Sequence, residues 1–135
     1  MNTKQGFREI EHTADAALHV WGDSLPTLFQ QAAHGLYALA GARTEGSSTI
    51  FRTISLEADD TEILLVNFLS ELLFYLNNGI FFQIDKLEIK GHRLEGRLEG
   101  GKVAEIRREI KAITYHQMQI VQAGDQFQTD IVLDV

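Results

Sequence analysis

The 135-residue chain contains no cysteine and a single proline. The missing cysteines exclude a disulfide scaffold, a thiolate zinc site and a cysteine nucleophile together. Long apolar runs are absent as well. The greasiest window, residues 63–76, is interrupted by Asn67, Ser70 and Glu71 and is too short to span a bilayer core of ~30 Å. The first residues, MNTKQGFREIEH, lack the apolar stretch that a signal peptide needs. Positive charge is scarce too: 12 Lys and Arg stand against 19 Asp and Glu, a net charge of −7. A chain of that sign repels phosphate backbones and is ill suited to binding nucleic acid unaided. The expectation is a cytoplasmic protein with no membrane association.

What is present suffices for a core. Apolar residues make up 44% of the chain, which excludes intrinsic disorder on composition. The length suits one domain over residues 1–135, with no repeat or low-complexity tract to divide it.

Two helices are readable from the apolar period. Asp23 and Ser24 offer N-caps, Pro26 suits a first turn, and Leu25, Leu28, Phe29, Ala32, Ala33 and Leu36 form one stripe ending near Gly41. The second helix starts at Asp59 or Asp60, with Glu62 placed for a capping box, and ends at Asn77-Asn78-Gly79. Its polar positions form a stripe so narrow that the helix has to be covered on most sides.

Elsewhere the period falls to two. Strands are expected at residues 16–21, 49–56, 84–90, 94–98, 109–121 and 127–135, with turns at Gly91-His92 and Gly124-Asp125. Gly96, Gly100 and Gly101 suggest a loosened, mobile stretch. The order β-α-β-α-β-β-β-β predicts an α+β domain, two helices packed on a largely antiparallel or mixed sheet.

The ends of the chain carry the unusual chemistry. Alternation along residues 130–135 puts Ile131, Leu133 and Val135 on one face and Asp130, Val132 and Asp134 on the other. A strand carried to its last residue positions the terminal carboxylate, so Asp134 and the Val135 carboxylate are neighbours. A third carboxylate would complete an oxygen-only site for Mg²⁺, Mn²⁺ or Ca²⁺. Asp130 lies too far along the strand, since four residues span ~13 Å. Asp15 suits if its loop reaches the last strand; otherwise Asp15 caps its own turn and Asp134 is a solvated edge charge.

Lys111 falls beside Ile113 and Tyr115 on a face poor in charge, where it either neutralises a carboxylate cluster or snorkels at a sheet edge. Among five histidines none shows zinc-helix spacing and there is no HExxH. His12 and His116 remain as candidates because each adjoins another. Phosphate loops and nucleophile elbows are missing. Arg93, Arg97, Lys102, Arg107 and Arg108 alternate with glutamates and form a solvated mixed-sign face, not an RNA track.

Several segments together resemble the archease family. They are Glu11-His12-Thr13-Ala14-Asp15, the helix entered from Trp21-Gly22-Asp23-Ser24-Leu25, residues 65–73 (LVNFLSELL), residues 110–116 (IKAITYH) and the closing IVLDV of residues 131–135. The likeness spans essentially the whole chain, in order. Phe127 stands where the family commonly has tryptophan, Leu133 where it often has phenylalanine, and residues 100–108 diverge.

The resemblance implies a small acidic cytoplasmic protein that is not itself an enzyme. It implies an activator of an RtcB-type RNA ligase, which uses GTP and Mn²⁺ in tRNA splicing and RNA repair. Such an activator promotes ligase guanylylation and repeated turnover, and touches RNA only through the ligase. The resemblance also implies a divalent cation, Ca²⁺, Mg²⁺ or Mn²⁺, held by Asp15, Asp134 and the Val135 carboxylate, with Lys111 as a further functional residue. Two rival readings are a chaperone-like modulator of another RNA-processing enzyme, such as a tRNA methyltransferase, and a metal-dependent phosphoesterase built on Asp15 and Asp134. Nothing in the sequence fixes an oligomeric state.

Overall fold

The computed structural model describes residues 4–10, 15–115 and 117–135. Its first helix, α1 (Leu25–Ala40), begins where the Ser24 hydroxyl accepts the Thr27 N–H at 3.2 Å. It ends at Gly41, whose φ of 59° needs no Cβ. The carbonyl of buried Ala40 in its last turn accepts the main-chain N–H groups of Arg107 and Arg108, so a distant loop caps the helix.

The second helix, α2 (Thr61–Asn77), starts one residue later than a capping box requires. Asp60 is the N-cap and accepts the Ile63 N–H at 2.7 Å. Glu62 therefore sits at the second helical position, and its carboxylate accepts the N–H of Ile120 at 3.0 Å instead. Leu64, Leu65, Phe68, Leu69, Leu72 and Leu76 are all buried, and α2 touches both α1 and several strands. The narrow polar stripe correctly announced a covered helix. The rings of Phe29 and Phe68 join the two helices at 5.8 Å.

The α+β class read from the sequence holds: two helices pack on antiparallel strands. Those strands form two sheets among the described residues. One contains β1 (Gly6–Ile10), β2 (Ala16–Gly22), β7 (Ala112–Thr114), β8 (Val121–Ala123) and β9 (Gln126–Asp134). In it β2 lies between β1 and β9, and β9 pairs with both β7 and β8. The helix α1 rests on β2 closely enough that a Cβ at Gly35 would press the Leu18 side chain at 3.0 Å.

The other sheet contains β3 (Arg43–Thr44), β4 (Ile50–Glu57), β5 (Ile80–Lys90) and β6 (Arg93–Glu105), with β6 in the middle. Leu94, Leu98 and Phe82 face the core from it.

Two expectations need correction. The stretch with Gly96, Gly100 and Gly101 is no loose segment but part of the longest strand, β6, at the centre of its sheet. Gly100 and Gly101 are buried, and a Cβ on Gly100 would run into the Phe82 ring. Glycine stands there because an aromatic ring lies across the strand. The long strand expected over residues 109–121 is also broken, into β7 and β8. Between them Gln117 adopts φ 57° and Met118 turns back to bond the Tyr115 carbonyl. Side-chain bonds then replace the ladder: Ile120 bonds Glu62, and the Thr129 hydroxyl donates to the Gln119 carbonyl at 2.8 Å.

Candidate functional site

Three strand ends converge at one edge of the first sheet. The β2–β9 ladder closes on the pair Ala16–Leu133, and the β7–β9 ladder on Ala112–Asp134. Asp15 is the residue before Ala16, and Asp134 the residue after Leu133. Continuing the antiparallel register sets Asp15 opposite Asp134, on the face shared by Ala17, Val132 and Thr114. On the other side of Asp134 stands Ala112, whose side chain is too small to crowd the carboxylate.

The end of β9 is held by its main chain as well. Lys111 donates its N–H to the Asp134 carbonyl at 2.7 Å, and the preceding Ile110 offers its carbonyl to the Asn77 amide at 3.3 Å. Ile110 is buried, while Lys111 and Asp134 are exposed and Asp15 and Val135 half-buried. A segment tied to α2 on one side thus fixes the last residues of the chain on the other. Of the site residues expected from the sequence, Asp15, Lys111, Asp134 and Val135 fall at this edge. His12 and His116 lie outside the described residues.

The donor set there is carboxylate oxygen only, which fits a hard divalent cation. Among the described residues no three His, Asp or Glu side chains gather as a metal group. A cation site at this edge would therefore rest on two aspartates and a main-chain carboxylate.

One pair escaped the sequence reading. His19 Nδ1 lies 2.6 Å from Asp130 Oδ1, across β2 and β9 on the same face as Asp134. The His19 ring also lies tilted against Trp21, with centroids 5.6 Å apart. Alternation places His19 and Trp21 on one face, but that Asp130 meets them depends on a register no single strand encodes. The half-buried imidazole and exposed carboxylate extend the polar strip along the sheet towards Asp15 and Asp134. Among the described residues, no helix is long and apolar enough to cross a membrane.

Comparison with known proteins agrees with this architecture. The family model described as the Archease protein family matches residues 7–135. An archease from Pyrococcus abyssi is 35% identical, over 96% of this chain and 98% of that protein. An archease from Danio rerio is 34% identical, over 96% of this chain and 85% of the relative. Among solved structures, the crystal structure of an archease from Thermotoga maritima, described as a possible chaperone, superimposes with a TM-score of 0.71. The two are 25% identical, and the match covers 95% of this chain and 96% of that one.

Proposed function

The chain belongs to the archease family, and we propose that it performs no chemistry of its own but activates a GTP- and Mn²⁺-dependent RtcB-type RNA ligase. The observation that supports this reading most is the convergence of Asp15, Asp134 and Val135 at the shared end of β2, β9 and β7. An activator needs a rigid tip that can enter another protein's active site, and strand ends clamped from both sides make such a tip.

In this reading Asp15 and Asp134, with the Val135 carboxylate, bind a divalent cation, and Lys111 balances their charge or meets phosphate. A bound cation supplies positive charge for the oxygens of a nucleotide triphosphate. The carboxylates fix where that charge sits. The β2–β9 ladder keeps the segments carrying Asp15 and Asp134 together when the tip docks, and the main-chain bond from Lys111 holds Asp134 from its other side. The ligase itself provides the nucleophile that takes the guanylyl group. The overall charge of −7 suits docking against a basic, RNA-binding partner and leaves contact with RNA to that partner.

The test is ligase guanylylation with GTP, in the presence and absence of this protein, titrated with Mn²⁺. The proposal requires faster formation of the ligase–GMP adduct at limiting Mn²⁺. An adduct formed at the same rate with and without the protein contradicts it. A second reading, a chaperone-like modulator of another RNA-processing enzyme such as a tRNA methyltransferase, draws on the description of the Thermotoga relative. It requires improved recovery of active partner with guanylylation unchanged. A phosphoesterase would need an acid or base beside its carboxylates, and it would turn over simple phosphate esters without ligase.

A further inference from the structure

The outer face of the β4–β6–β5 sheet, turned away from the helices, carries charges in an order that costs the isolated chain stability. Three directly opposed pairs between β5 and β6 are charged on both sides: Lys90–Arg93, Glu88–Glu95 and Lys86–Arg97. All three are like-charged. Opposed like charges destabilise a sheet, where opposite charges would favour it. Relief within the chain comes from Glu57, directly opposite Arg93 on β4, and from loose pairs: Lys86 to Glu88 at 3.6 Å, Arg93 to Glu95 at 3.5 Å and Arg97 to Asp85 at 3.3 Å.

The result is a set of bands lying across the strands. By net charge they read positive at Lys90 and Arg93, with Glu57 of β4 opposite Arg93, negative at Glu88 and Glu95, positive at Lys86 and Arg97, with Asp85 against Arg97, and negative at Glu99. Successive bands are two residues, or ~6.8 Å, apart. Four alternating bands have a property that three or five lack. A two-fold axis lying along the bands, midway between the second and third, places every positive band over a negative one. Glu95 then meets Arg97 of a second copy, Glu88 meets Lys86, and Arg93 meets Glu99. Each contact occurs twice, as in any isologous interface.

We infer that this face is a docking surface for a second copy of the chain, related by that two-fold axis. Two further features suit it. The middle bands frame an open hollow of about 430 Å³, lined by Thr53, Ser55, Lys86, Glu88, Glu95 and Arg97, which receives the long side chains of the second copy. Phe51, opposite Glu99 at the edge of the face, is 70% exposed and loses water on association. The bands cover roughly 20 Å along the strands by 10 Å across them. Two such patches bury roughly 400 Å², well below the ~1,200 Å² of a stable specific interface, so the dimer is weak and forms by mass action. Its charges are exposed, so salt weakens it further. The edge carrying Asp15 and Asp134 belongs to the other sheet, so dimerisation and ligase activation are separable.

Sedimentation equilibrium of the full chain over a concentration series tests this. In dilute salt the average mass should climb towards twice the monomer with concentration, and fall back in about 1 M salt. Glu95→Arg and Arg97→Glu each set like charges against each other across the interface, and each variant alone should remain monomeric. Both convert a like-charged pair within the sheet into an opposite one, so far-UV circular dichroism should show them folded. Mixed together they should associate one to one, because each supplies the sign the other has lost. Wild-type protein monomeric at every concentration overturns the inference. So does a dimer indifferent to either reversal, or a mixture of the two variants that fails to associate.

Discussion

Lys111 donates its main-chain N–H to the carbonyl of Asp134 at 2.7 Å, holding the last strand from one side while Ala16 pairs with Leu133 on the other. The bond explains how an exposed aspartate near the end of a chain can be positioned at all. Ends of chains fray unless the backbone is tied down, and this one is tied to two neighbouring strands.

Extension of the chain beyond Val135 follows as a first prediction. A short C-terminal tag removes the carboxylate of Val135 without touching the β9 ladder. Thermal melting should stay within about 1 °C of the untagged protein, because the tag adds residues beyond Val135 and removes no packed side chain. Divalent-cation affinity by calorimetry should fall at least tenfold. A tagged protein that binds cation with full affinity would remove Val135 from the ligand set.

A second prediction concerns β6. Gly100→Ala forces a methyl group against the Phe82 ring and should destabilise the protein by about 1–3 kcal/mol, the usual range for overpacking a core. Urea unfolding measures it. The paired change Gly100→Ala with Phe82→Leu should recover only part of the loss, since it removes the ring but leaves the Phe81 carbonyl 2.6 Å from the added methyl group. Unchanged stability in Gly100→Ala would mean that β6 is the loosened segment its glycines suggest by sequence.

Tyr37 supplies a third. It stacks on Phe81 with centroids 4.2 Å apart, and its hydroxyl is buried without a hydrogen bond of normal geometry. Burial raises its pKa well above the ordinary value of 10.0, and the nearby Phe82 main chain offsets only a small part of that. Above pH 10 the unfolded chain therefore loses a proton that the folded protein keeps, and stability falls as pH rises. Tyr37→Phe should remove this alkaline slope and raise stability at neutral pH by about 1 kcal/mol, by deleting an unpaired buried hydroxyl. Denaturant titrations at pH 8 and in the alkaline range compare the two, with a lower stability for Tyr37→Phe counting against the account.

Much of this architecture was legible from residues that act locally. Ser24, Pro26 and Gly41 bracket α1 because caps and turns are decided within a few residues. The narrow polar stripe of α2 likewise announced its coverage. Register was not legible. That His19 meets Asp130, or that β5 and β6 oppose like charges, depends on how strands distant in sequence align. Gly100 misled because the ring beside it comes from another strand. Glu62 shows the same limit on a smaller scale. Moving the N-cap by one residue turned it from a capping partner into the acceptor for Ile120, fifty-eight positions away. Alternation and the chain's end marked out Asp134 and Val135, but bringing Asp15 beside them required the β2–β9 register.

The most direct measurement is ligase guanylylation at limiting Mn²⁺ with wild-type protein, Asp15→Asn and Asp134→Asn, each first shown to melt cooperatively. A cooperative melt in each variant separates the loss of a ligand from the loss of the fold. The account predicts that wild type accelerates adduct formation and that each variant loses that acceleration. Full acceleration by both folded variants would contradict it.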